Sequence, residues 1–119
     1  MHGIDIYAGY GMSETGPVMT VTRVDSPPGT LDEAQEIDRR CRTGVPVPLV
    51  DLRIVDADGR PLPHDDSATG EIVVRAPWLT QCYVGNQAAS EELWRGGYLH
   101  TQDVARIDAH GYVQITDRI

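Results

Sequence analysis

One short stretch near the start, Tyr10-Gly11-Met12-Ser13-Glu14-Thr15-Gly16, gathers the side chains with the most chemical potential. Ser13 and Thr15 carry hydroxyls that can donate to phosphate oxygens. Glu14 supplies a hard carboxylate oxygen, the ligand type Mg2+ takes alongside phosphate. Tyr10 offers a ring face on which a planar base can stack. Gly9 and Gly11 let the backbone approach a ligand closely or adopt positive φ, because neither has a Cβ. Taken alone, the stretch also reads as a strand-end turn capped by Ser13, with Glu14 in solvent.

The elements around it follow from pattern. Ile4-Asp5-Ile6-Tyr7-Ala8 reads as a strand that breaks at Gly9, and Pro17 to Thr22 as another β-rich run. Thr30-Leu31-Asp32-Glu33 fits a capping box, with Leu31, Ala34, Ile37 and Cys41 at helical spacing behind it. Arg39, Arg40 and Arg42 in the last turn complement the helix dipole, and those charges read as a solvated face. Val50 to Asp56 and Glu71 to Ala76 alternate as half-buried strands, Asp56-Ala57-Asp58-Gly59 is a turn, and Leu79 to Val84 reads as a further short strand. Asn86 caps a second helix through Ala89 and Leu93, stopped by Gly96-Gly97. Asp103 to Asp108 and Tyr112 to Asp117 form a hairpin about Ala109-His110-Gly111. The expected fold is mainly β: a small distorted antiparallel β-barrel with one or two short helices.

Composition narrows the function. The chain has 119 residues, enough for one core, and a net charge of −8. That acidity argues against nucleic acid as a partner, since a phosphate backbone needs a basic patch. No apolar run reaches the length of a membrane span, and no signal-peptide pattern opens the chain. All ten basic residues are arginine, so no step that needs a lysine ammonium falls to this chain. Cys41 and Cys82 stand far apart and read as reduced, small apolar residues of a cytoplasmic protein. His2, His64, His100 and His110 show no metal-ligand spacing.

Four motifs carry a resemblance. Tyr10-Gly11-x-Ser13-Glu14, Gly70-Glu71-Ile72, Thr101-x-Asp103 and Asp117-Arg118 resemble, in order and spacing, successive motifs of the acyl-adenylating (AMP-forming) superfamily. The wording Arg75-Ala76-Pro77-Trp78-Leu79-Thr80 is most similar to fatty-acid (medium-chain-type) CoA ligases. The resemblance implies a ligase that activates a carboxylic acid with ATP to an acyl-adenylate and passes the acyl group to coenzyme A. It implies that Tyr10 stacks on adenine, with Gly11, Met12 and Ser13 also contacting the nucleotide. Ser13 would bond the α-phosphate, Glu14 would hold Mg2+, and these two are the catalytic candidates. Asp103 would accept from the ribose hydroxyls, Ile115 would pack beside the nucleoside, and Arg118 would reach ribose or phosphate. Gln102 stands where the family has glycine, as does Cys82; at positive φ, Gln102 costs about 1 kcal/mol.

The resemblance further implies an internal fragment, inactive alone. Residues 1–24 would end a nucleotide-binding subdomain and 25–119 would form the β-barrel subdomain. The remaining N-terminal subdomains and a C-terminal lid domain would be its partners. Sheet edges left bare without them are a self-association liability. The competing expectation is a stand-alone, non-catalytic β-barrel interaction module.

Overall fold

The computed structural model describes residues 8–16, 18–22 and 32–119. The expected strand at Ile4 to Tyr7, and Thr30 and Leu31 of the expected capping box, lie outside these residues. The strands form two antiparallel sheets. One joins β1 (Gly9–Tyr10), β2 (Thr20–Val21) and β3 (Val45–Pro46). The other runs β4 (Asp51–Val55), β5 (Gly70–Arg75), β6 (Leu99–Ile107), β7 (Val113–Arg118) in chain order. Two short helices, α1 (Glu33–Cys41) and α2 (Gln87–Leu93), complete a mainly β architecture.

The core lies on one face of the larger sheet. Leu52 and Ile54 of β4 alternate inward with exposed Asp51 and Arg53, as a half-buried strand requires. Ile72, Val74, Leu99, Ala105, Ile107 and Val113 extend the cluster across β5, β6 and β7, and Leu93 of α2 closes it. Val73, expected on the outer face of β5, is also buried, because β5 is a central strand.

The two sheets are stitched at Gly44. The Thr43 N–H donates to the Val113 carbonyl at 2.9 Å, and the Val113 N–H donates to the Gly44 carbonyl at 2.8 Å. Two buried threonines of the small sheet reinforce the joint: Thr20 Oγ1 donates to Thr43 O at 2.7 Å and Thr22 Oγ1 to Arg42 O at 2.8 Å. Here glycine is obligatory. Its φ is +103°, and a Cβ would stand 2.2 Å from the Val21 carbonyl carbon.

Several expectations change. Gly9 lies within β1 rather than breaking a strand, and neither Gly9 nor Gly11 has positive φ; Gly16 does, at 49°. The cap of α1 is Asp32, whose side chain accepts from the Gln35 N–H at 2.7 Å while Gln35 Oε1 accepts from the Asp32 N–H, so the box sits two residues later than expected. The expected apolar face of α1 does not pack: Ile37 is 53% exposed and no residue of the helix is buried. The helix instead lays Arg39 over the Tyr112 ring, 5.3 Å from its centroid, and is anchored by Arg42 just beyond its end. Arg42, expected in solvent, is buried and forms a fork with Asp66 at 2.7 and 3.0 Å, plus a bond to Asp38 at 3.1 Å. A guanidinium is buried here because planar, paired carboxylates satisfy its fork. Leu79 to Val84 is a loop, and both cysteines are free and exposed. Asn86 does cap α2, accepting from the Ala89 N–H at 3.0 Å.

Candidate functional site

The Tyr10–Gly16 stretch folds as a tight 3-10 turn over Ser13–Thr15 that consumes one of its own hydroxyls. Thr15, expected to be available to phosphate, is fully buried; its Oγ1 donates to Met12 O at 2.8 Å and accepts from the Met12 N–H at 2.9 Å. Ser13 stays exposed and Glu14 half-exposed. The segment after β5 clamps the turn from outside: the Thr80 N–H donates to Glu14 O at 2.9 Å and Trp78 Nε1 donates to Thr15 O at 3.1 Å. The turn is therefore held by backbone, the Thr15 hydroxyl and the Trp78 indole, which leaves the Ser13 and Glu14 side chains outside that fixing set.

The second half of the site is a bulge in β6. Glu71 pairs with Val104 and Val73 pairs with His100, so Thr101, Gln102 and Asp103 all stand opposite Ile72. Such an insertion re-aims a side chain at the expense of ladder bonds. Side chains replace those bonds. Thr101 Oγ1 donates to Ile72 O at 2.9 Å and accepts from the Asp103 N–H at 3.2 Å. Glu71 Oε1 accepts from the Gln102 N–H at 3.1 Å, and Gln102 O accepts from the Ile119 N–H at 2.8 Å. Gln102 sits at φ +64°, the left-handed region, so the glycine-like conformation is kept by a residue with a Cβ.

The bulge turns Asp103 toward the first stretch. Its buried carboxylate is shared between two partners: the Tyr10 hydroxyl donates to Oδ2, and Arg118 Nε donates to Oδ1 at 2.8 Å. Arg118 pairs with Asp103 across β6 and β7, and its side chain is 81% exposed against 5% for Asp103. Tyr10, Asp103 and Arg118, 93 and 15 residues apart in sequence, thus form one contact chain. Ile115 lies beside it on β7, opposite Ala105, and packs against the core. Next to them opens a cavity of about 430 Å³ lined by Met12, Glu14, Tyr83, Thr101, Gln102 and Ile119, and also by Glu71, Glu92, Arg95 and His100. Met12 and Glu14 of the loop and Thr101 and Gln102 of the bulge line one space, while Tyr10, Asp103, Ile115 and Arg118 are not among its lining residues. Gly11 and Ser13 lie on the loop that borders it.

Burial first, and the Asp103 carboxylate next, push the Tyr10 phenol well above its ordinary value. A phenol whose folded pKa is raised adds stability that is present below its unfolded value, about 10, and lost as pH rises through the folded one. In a spectrophotometric titration, Tyr10 should hold its proton beyond the ordinary tyrosine range. The Asp51 carboxylate raises the Tyr98 phenol and burial raises that of Tyr83 as well, so Tyr10→Phe should take one phenol out of the late amplitude; a late amplitude unchanged in the variant contradicts the assignment.

Sequence reasoning left Glu71, Thr101 and His100 without roles here. Glu71 was a motif residue, but its partners depend on a register no local pattern shows.

With this geometry in place, comparison with known proteins decides the family. The profile of the AMP-binding enzyme family matches residues 1–84. The chain belongs to that family. The chain is 41% identical over 118 residues to a long-chain-fatty-acid–CoA ligase of Thermus thermophilus, covering 98% of this chain and 22% of that protein. It is 36% identical over 117 residues to a 3-methylmercaptopropionyl-CoA ligase of Ruegeria lacuscaerulensis, covering 98% and 21%. Its fold matches the solved o-succinylbenzoate coenzyme A synthetase of Bacillus subtilis in complex with AMP, with a TM-score of 0.77 at 25% identity, covering 98% of this chain and 27% of that one. The chain spans about a fifth of the length of the curated relatives it matches.

Proposed function

We propose that this chain is the nucleoside-facing fragment of an AMP-forming acid–thiol ligase acting on a carboxylic acid of the fatty-acid class. The observation that carries the proposal is the buried Asp103 carboxylate, aimed by a bulge at the loop that bears Tyr10, Ser13 and Glu14. A carboxylate with two oxygens fixed in place suits the vicinal hydroxyls of a ribose, which donate side by side. Tyr10 would give its ring face to adenine, with Gly11 and Met12 beside it. Ser13 would bond the α-phosphate, Ile115 would flank the nucleoside, and Arg118 would turn from Asp103 to ribose or phosphate.

In the whole enzyme the acid's carboxylate oxygen attacks the α-phosphorus of ATP, and pyrophosphate leaves. The coenzyme A sulfur then attacks the acyl carbonyl and AMP leaves. Charge building on the α-phosphate needs fixed donors. Ser13 supplies one from this chain, and the chain's lack of lysine assigns any ammonium to other domains. Mg2+ fits the site only as a phosphate-borne ion. Among the described residues no three His, Cys, Asp or Glu side chains gather to hold a metal, whereas one half-exposed carboxylate, Glu14, beside an open cavity matches the sparse protein ligation Mg2+ accepts. Bound there, it would neutralise phosphate charge.

Residues 1–24 would complete a nucleotide-binding subdomain and 25–119 its β partner, in a cytoplasmic enzyme. Trp78, Tyr83 and fully exposed Val84 present apolar surface on one loop, which the other N-terminal subdomains or the lid domain would cover. Left uncovered, it would favour self-association, to be read by gel filtration. The 119-residue chain alone should be inactive and bind AMP weakly, because it has no lysine to meet the phosphate and the rest of the site would come from the other domains. Isothermal titration should show no micromolar AMP site; micromolar affinity contradicts this. In the full reading frame, ATP, Mg2+, coenzyme A and a fatty acid should yield pyrophosphate and acyl-CoA together, and pyrophosphate release indifferent to the acid would overturn the reaction proposed.

A further inference from the structure

We propose that Glu71 is a positioning residue: through the Gln102 N–H and His100 it locks the left-handed bulge that aims Asp103. The role deepens the nucleotide reading above and rests on it for its purpose, though not for its geometry.

Glu71 is nearly buried, and both carboxylate oxygens are engaged, Oε2 also lying 3.9 Å from Arg95 Nη2. Oε1 accepts from the Gln102 N–H at 3.1 Å, and Oε2 meets His100 Nδ1 at 2.8 Å. His100 is itself fixed at its other nitrogen: Nε2 lies 2.7 Å from the Arg95 carbonyl, which can only accept, so Nε2 carries a hydrogen. The imidazole is thus wedged between a backbone carbonyl and Glu71. The carboxylate so oriented presents its free oxygen to the backbone of Gln102, a residue whose φ of +64° an L side chain resists. Strain of this kind persists only where the surroundings over-determine it. Thr101 satisfies the Asp103 side of the bulge and Ile119 the Gln102 carbonyl. Glu71 is the acceptor for the Gln102 N–H, so its loss releases the strained residue and, with it, the direction of Asp103.

The test is NMR on the labelled 119-residue chain and its Glu71→Ala, Glu71→Gln and Glu71→Ala/Gln102→Gly variants. Residue 102 carbon shifts report φ, and Thr101 and Asp103 amides report the bulge. Glu71→Ala should lose the positive-φ signature and shift both amides. Glu71→Gln, which keeps an acceptor oxygen, should retain them. Gln102→Gly, for which the left-handed region costs nothing, should return the Thr101 and Asp103 amides of the double variant to their wild-type positions. This rescue is a coupling that general loss of packing at Glu71 would not produce. Retention of positive φ in Glu71→Ala, or no rescue in the double variant, overturns the proposal. Should Glu71→Ala not fold, wild-type hydrogen exchange decides: the Gln102 amide should be protected although its side chain is exposed, and exchange at the free rate overturns the proposal. Millimolar AMP separates the two readings. Wild-type shifts at Asp103 that vanish in Glu71→Ala and return in the double variant support both. A bulge that responds as stated in a chain blind to AMP supports the positioning role and contradicts the nucleotide reading.

Discussion

Gly44→Ala should destabilise the chain by about 3–5 kcal/mol, read as a fall in the urea midpoint at unchanged slope. Two costs combine. A φ of +103° is one an L side chain rarely adopts, worth about 1–3 kcal/mol. The added Cβ would also sit 2.2 Å from one backbone atom of β2 and 2.3 Å from the next, and neither can swing aside as a flexible side chain would. Relief requires β2 and β3 to part, which breaks the bonds between Gly44 and Val113 that join the sheets. β1 and the Tyr10 loop hang from β2, so the variant should also lose the Tyr10–Asp103 contact. A Gly44→Ala protein within about 0.5 kcal/mol of wild type, the range of an ordinary surface change, would contradict the Gly44 joint.

Arg42→Met should come second, at about 2–3 kcal/mol, again by urea unfolding. Removing one partner of a fully buried ion pair costs about 3–5 kcal/mol because the other is left uncompensated. Here the carboxylates are partly wet, 37% exposed at Asp66 and 63% at Asp38, so water takes up part of that penalty. The network spans α1, the 62–69 loop and the β6–β7 hairpin, since Arg42 also lies 3.9 Å from Asp108 and Arg106 Nε lies 3.3 Å from Asp66. The Arg42 hydrogen bonds hold the Asp66 carboxyl below the usual carboxylate range, against the opposing effect of its own burial. A depressed carboxyl contributes stability that is present above its unfolded value, about 3.9, and lost as pH falls through its folded one. The wild type should therefore lose stability in acid more steeply than Arg42→Met. Parallel acid limbs would contradict the assignment.

What the sequence disclosed is what local pattern encodes. The Asn86 cap, the β4 alternation, the β6–β7 hairpin and its Asp108 turn, where Oδ1 accepts from His110 and Tyr112 N–H groups, all rest on neighbours within a few residues. The motif residues Tyr10, Asp103 and Arg118 were legible as candidates, and so was the strain at Gln102. Their mutual contact was not, because it depends on a bulge register between strands 29 residues apart, the separation of Glu71 and His100. Arg42 was misread for the same reason: its fork partner lies 24 residues on. Thr15 looked like a ligand because a buried capping threonine and an exposed donor look identical in sequence. Ile37 was placed on an apolar helix face that stays uncovered, because helical spacing says which side chains share a face, not whether anything covers it.

In the function proposed, the Glu14 turn and the Asp103 bulge border one nucleoside site. Amide shift mapping of the labelled chain with millimolar AMP tests it most directly. Gly11 to Glu14 and Gln102 to Asp103 should shift together along one saturable curve, and Asp103→Asn should weaken both sets equally. Shifts confined to one of the two segments, or to a surface remote from both, would contradict it.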